Sequence, residues 1–149
     1  MTRPGPRLAP GLELFGFEAR TRLELPLYLA RVQAGFPSPA DDFIDRALDL
    51  NEFLVAHPQA TFFVRATGES MLEHGIHPGD VLVVDRAKDA APGSIVIAAV
   101  HGELTVKRLA RRGGRLFLEP GNPDYPPIEI TEDTELEIWG RVTFVIHPV

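Results

Sequence analysis

The chain contains no cysteine, so disulfides, thiolate metal sites and cysteine nucleophiles are excluded outright. Lysine is nearly missing too, with only Lys88 and Lys107 set against 13 arginines. No apolar run approaches the roughly 18 residues that a membrane helix needs, and the opening MTRPGPRLAP lacks a signal-peptide core. The expectation is a cytoplasmic protein with no membrane partner. Positive charge is also in deficit, since the net charge is −6, which argues against direct, tight binding to a nucleic-acid backbone. Neither a GxGxxG fingerprint nor a Walker loop occurs, so no nucleotide cofactor is expected. His74 and His77 stand three apart, but without an HExxH pattern or an evident third ligand they are read as turn histidines. The expectation is no metal and no cofactor.

What is present suits a small globular domain. The 149 residues are 44% hydrophobic and 24% charged, enough to bury a real core. Residues 1–40 carry a balance of +2, with arginines at 3, 7, 20, 22 and 31, so the remainder carries −8. The same forty residues hold six prolines and four glycines. Proline fixes φ and removes a backbone donor, so this stretch cannot sustain long helices or central strands. It reads as an extended arm over 1–37 whose apolar patches, 12–17 and 23–29, can lie on a neighbouring surface.

Two short helices are expected next. Ser38-Pro39-Ala40-Asp41 carries a helix-start signal, with Phe43, Ile44, Ala47 and Leu48 at helical spacing. Asp49 begins the second, with Glu52 three residues on and His57-Pro58 ending it. From residue 61 the period becomes that of strands, predicted at 61–66, 81–86, 94–100, 103–112, 115–119 and 135–146. Turn signals separate them, among them His77-Pro78-Gly79-Asp80 and Gly113-Gly114. Close spacing and hairpin-type turns predict a mainly β protein with an antiparallel, barrel-like sheet.

Candidate chemistry is sparse. Gly68-Glu69-Ser70-Met71-Leu72 resembles a nucleophile elbow, but leucine stands where hydrolases have glycine. Glu73, three residues after Ser70, removes the β-lactamase pattern. Ser70 nevertheless sits where a strand gives way to a turn, a junction with free backbone N–H groups. Lys107 lies in the apolar strand Leu104-Thr105-Val106-Lys107-Arg108-Leu109, where desolvation would lower its pKa. Arginine cannot lose its proton and lysine can. Each residue alone has a plain structural reading, as a helix-start serine or a strand lysine facing solvent. Together they have the composition of a Ser-Lys dyad.

Three separated segments carry a resemblance: Gln33-Ala34-Gly35-Phe36-Pro37-Ser38-Pro39-Ala40, Gly68-Glu69-Ser70-Met71 and Glu103-Leu104-Thr105-Val106-Lys107. Between them Asp49-Leu50-Asn51, His77-Pro78-Gly79-Asp80 and Ser94-Ile95-Val96-Ile97-Ala98-Ala99-Val100 fit the same pattern. The chain resembles the LexA/UmuD family of self-cleaving serine peptidases from residue 32 to about 146. That resemblance implies a β-rich catalytic domain over 35–149 and an arm, 1–34, removed by cleavage of the Ala34–Gly35 bond. It implies Ser70 as nucleophile, Lys107 as general base, and the main-chain amides of Ser70 and Met71 as oxyanion donors. It also implies partners: a RecA filament on single-stranded DNA that stimulates cleavage, and a UmuC-like Y-family polymerase. The shortened chain would join that polymerase as a homodimer in SOS translesion synthesis. The competing readings are a LexA-like repressor fragment, a signal peptidase lacking its membrane anchor, and a non-enzymatic β-rich binding module.

Overall fold

The structure, a computed structural model, describes residues 7–8, 12–16, 22–28 and 44–149. They belong to two compact units, one of Met1–Phe17 with His57–Val149 and one of Glu18–Ala56. In chain order the elements are β1 (Arg7–Leu8), β2 (Leu12–Gly16), β3 (Glu24–Tyr28), β4 (Ile44–Asp49), α1 (Leu50–Leu54), β5 (Thr61–Ala66), β6 (Val81–Asp85), β7 (Ile95–Val100), β8 (Glu103–Arg112), β9 (Arg115–Glu119), β10 (Ile128–Ile130) and β11 (Leu136–Ile146).

The larger unit is one nine-stranded sheet. Its path runs β10-β9-β8-β7-β11-β6-β5-β2, and β1 pairs with β8 off this path. Every pairing is antiparallel except β1 with β8. The two-residue period of a strand divides β7 between two apolar clusters. Ile97 and Ala99 enter the first, Val96 and Ala98 the second. The first cluster joins Val64 and Ala66 of β5 to Leu82 and Val84 of β6 and to Leu104 and Val106 of β8. Since β5 and β8 lie far apart along the path, a shared cluster requires the sheet to curl on itself. The mainly β, barrel-like class expected from the sequence is therefore correct. Strands β1 and β2 are short and sit at sheet edges, where a proline-rich segment can pair.

The smaller unit corrects one expectation. Residues 44–49, predicted as the second half of a helix starting near Ser38, are strand β4, paired antiparallel with β3 in a separate two-stranded sheet. The apolar spacing at 43, 44, 47 and 48 spans barely a turn and a half, too short to separate helix from strand. Pairing with Glu24–Tyr28 then decides the outcome. The second predicted helix does form as α1. The Asp49 side chain caps it by accepting from Asn51 N–H at 2.8 Å. Arg22 bridges Glu24 at 2.6 Å and Glu52 at 2.8 Å on the exposed side.

Candidate active site

Ser70 sits in the turn that follows β5, half-buried at the lip of the first cluster. Met71, 2% exposed, and Ile76, 1% exposed, anchor this turn in the core. Between them runs a short 3-10 turn, Leu72–His74, closed by Gly75 at φ 79°. That backbone conformation is cheap only for glycine. The Met71 carbonyl accepts from His74 N–H at 3.0 Å and Ile76 N–H at 3.2 Å.

A second segment holds the turn from the other side. Gly121 N–H donates to the Ser70 carbonyl at 2.6 Å, and Glu73 N–H donates to the Gly121 carbonyl at 2.7 Å. Asn122 Nδ2 donates to the Glu69 carbonyl at 3.0 Å. Gly121 approaches so closely that a Cβ there would stand 2.8 Å from His74 Cδ2. The carbonyls around Ser70 are thus fixed by neighbours. By contrast, neither the Ser70 nor the Met71 N–H donates to an acceptor among the described residues. Two adjacent free donors at a serine are what an oxyanion needs.

Lys107 lies on β8, opposite Val96 of β7, and is only 8% exposed. Its ammonium donates to Thr105 Oγ1 and to the Val106 carbonyl, each at 2.9 Å. Neither acceptor is Ser70. Burial pushes the amine below the ordinary lysine range, and the opposing pull of Glu103 does not cancel it. The residue after the serine and the residue before the lysine, Met71 and Val106, belong to one apolar cluster. The core therefore draws the two chain segments together.

Strand β8 also changes partner along one edge. Its start, Glu103–Leu104, pairs with Arg7–Leu8 of β1, and its far part, from Arg108 to Arg112, pairs with β9. Between these pairings Thr105, Val106 and Lys107 have no strand neighbour on that edge among the described residues. Ala34 and Gly35, the expected cleavage site, lie outside the described residues.

The histidines part company. His74 packs its ring against Gly121, whereas His77 joins His147 and Asp80 in a separate cluster. Sequence reasoning treated His74 and His77 as one turn pair and did not connect either with the chain end. A second pair, His57 Nδ1 with Asp85 Oδ2 at 2.6 Å, braces the end of β6. Gly121 and Asn122 were likewise missed, because their value lies in contacts with a turn some fifty residues earlier.

Comparison with known proteins gives the family. The chain is similar to Protein MucA of Salmonella typhimurium, 48% identical over 142 residues that cover 93% of this chain and 97% of that protein. Protein SamA of Salmonella typhimurium is 51% identical over 122 residues, covering 82% and 84% of the two chains. LexA repressor 1 of Pseudomonas syringae pv. tomato is 39% identical over 144 residues, covering 95% of this chain and 70% of the repressor. Among the described residues no helix is long and apolar enough to cross a membrane. The sequence profile described as Peptidase S24-like matches residues 26–143, and the chain belongs to that peptidase family.

Proposed function

We propose that this chain is a self-cleaving serine peptidase that cuts its own Ala34–Gly35 bond with a Ser70–Lys107 dyad. The observation that carries the reading is the buried Lys107, whose amine is held below its ordinary pKa with no carboxylate in salt-bridge range among the described residues. A neutral lysine accepts a proton, and an arginine in its place would not. Ser70 Oγ attacks the Ala34 carbonyl carbon while its proton passes to Nζ. The resulting oxyanion is met by the Ser70 and Met71 N–H groups. The bond to Gly35 then breaks, and Nζ returns the proton to the leaving amine. Water hydrolyses the acyl-serine by the same route in reverse. Nζ must first turn from Thr105 and Val106 toward the serine, which makes the resting site slow.

The partners belong to the same proposal. A RecA filament on single-stranded DNA favours the docked, cleavable state, and residues 35–149 then act as a dimeric accessory of a UmuC-like polymerase in translesion synthesis. Similarity to MucA and SamA over nearly their whole lengths supports this reading over a repressor fragment.

The test is direct. Purified chain incubated at increasing pH should be cut faster as Lys107 loses its proton, and the product should begin Gly35-Phe36-Pro37. Ser70→Ala and Lys107→Arg should both stay intact, while Lys88→Arg should cut normally. An intact chain at every pH would leave a binding module. A different new N-terminus would reject the assigned bond.

A further inference from the structure

Among the described residues Asp80 is the most deeply buried acid of the larger unit, 0% exposed, just before β6. Its Oδ2 accepts from His77 N–H at 2.8 Å, and its Oδ1 meets His147 Nδ1 at 2.6 Å. His77 Nδ1 stands 3.7 Å from Oδ2, and the two imidazole rings lie 4.9 Å apart, centre to centre. Burial alone would raise the carboxyl's pKa, but the His77 N–H and then His147 outweigh it and hold the group ionised. Among the described residues, the side chains that lend this anion charge are His147 and His77. A buried carboxylate without a permanent cation is costly.

We propose that His77, Asp80 and His147 form a binding site for one divalent transition-metal ion, of which zinc is the best match. One donor atom from each residue lies within 4.8 Å of the others. Tetrahedral zinc at about 2.0–2.2 Å from its ligands sets the donors roughly 3.3 Å apart. The 3.7 Å pair is already near that spacing. The 2.6 Å pair is a hydrogen-bonding distance, so His147 Nδ1 gives up any proton it holds there as the ion enters and the imidazole carries its N–H at Nε2 instead. Both imidazoles are about half-exposed, which gives them room to move and gives the ion a way in. Two imidazoles and one carboxylate suit zinc, nickel, cobalt or copper rather than calcium or magnesium. A water completes the shell, and the His77 N–H orients the carboxylate from behind. The ion would fasten the chain beyond β11 to the turn between the Ser70 segment and β6. This site shares no residue with the dyad and does not depend on it.

The experiment uses tag-free, full-length chain carrying Ser70→Ala, titrated with zinc chloride by calorimetry and by thermal melting. We expect one ion per chain at micromolar affinity or better. At a hundredfold excess over Kd the melting temperature should rise by about 4 °C or more. His77→Gln and His147→Gln, both at half-exposed positions, should fold and lose at least tenfold in affinity together with the thermal gain. His101→Asn, placed in the exposed turn at φ 49° that asparagine tolerates, should bind as before. No binding below about 100 μM zinc would overturn the proposal. So would undiminished binding by His147→Gln, or loss of binding by His101→Asn alone.

Discussion

Replacing Lys107 by methionine should abolish cleavage and, separately, change how stability depends on pH. Methionine keeps the length of the side chain and removes the amine. To prevent self-cleavage, both chains carry Ser70→Ala. In the unfolded chain the amine has its ordinary value of 10.5, and in the folded chain burial lowers it. Between those two values the unfolded state binds one more proton than the folded state. Stability of the lysine chain therefore rises with pH through that window, by at most about 1.4 kcal/mol per pH unit. Below the window the full desolvation cost is present, and above 10.5 there is no further gain. The methionine chain has no such proton. It also loses the two 2.9 Å hydrogen bonds, a nearly constant offset of about 0.5–1.5 kcal/mol each. Urea unfolding followed by the single tryptophan, Trp139, at pH 7, 8, 9 and 10 measures the difference. With a urea slope of about 1–3 kcal/mol per M, each pH unit inside the window shifts the lysine midpoint upward by roughly 0.5–1.4 M relative to methionine. A lysine midpoint that does not rise relative to the methionine midpoint from pH 7 to 10, or that falls, would refute the argument that burial lowers the pKa of this amine.

Gly121→Ala places a Cβ 2.8 Å from His74 Cδ2 and 3.0 Å from the His74 backbone nitrogen. It should cost about 1–3 kcal/mol and slow cleavage by shifting the Ser70 turn; unchanged melting and unchanged cleavage on gels would show that the contact is slack. Asp85 is held below the usual carboxylate value because its bonds to His57 and Ala87 N–H outweigh the opposing effect of burial. Its contribution to stability is thus present above about 3.8 and lost as pH falls through the lower folded value. Asp85→Asn should lower stability by roughly 1–3 kcal/mol at pH 7, with the gap to the parent closing below pH 4 in urea titrations. A gap that widens in acid would contradict the sign.

The strands of the larger unit were the most legible part of the sequence. Thr61–Ala66, Glu103–Arg112 and Arg115–Glu119 have the bounds expected from alternating side chains and turn signals. The burial of Lys107 was only half legible: its strand is largely apolar, but Arg108 beside it and a lysine's usual place at the surface equally fit a side chain facing solvent. Strand β4 was not, because a serine-proline start signal and four apolar residues satisfy a helix until a partner strand is known. The three residues of β10 follow Pro126 and Pro127 and are too few to show a period. The pairs His147–Asp80 and Asn122–Glu69 span 67 and 53 residues. Nothing local marks them, because each is decided by where the curled sheet brings distant turns.

The interrupted edge of β8 has a further consequence, for solubility. An open strand edge is a template on which other chains can pair and aggregate, and proteins usually blunt such edges with charge, proline or a bulge. Here the edge at Thr105–Lys107, which has no strand neighbour among the described residues and on which Val106 and Lys107 are buried, is bounded by β1 on one side and by β9 on the other. Three residues measure about 10 Å, too short to nucleate an extended ladder yet long enough to grip one stretched peptide. A peptide whose residues alternate with proline cannot propagate pairing beyond it, because proline lacks the N–H that a further strand would need. So short a gap therefore limits what can stick to it.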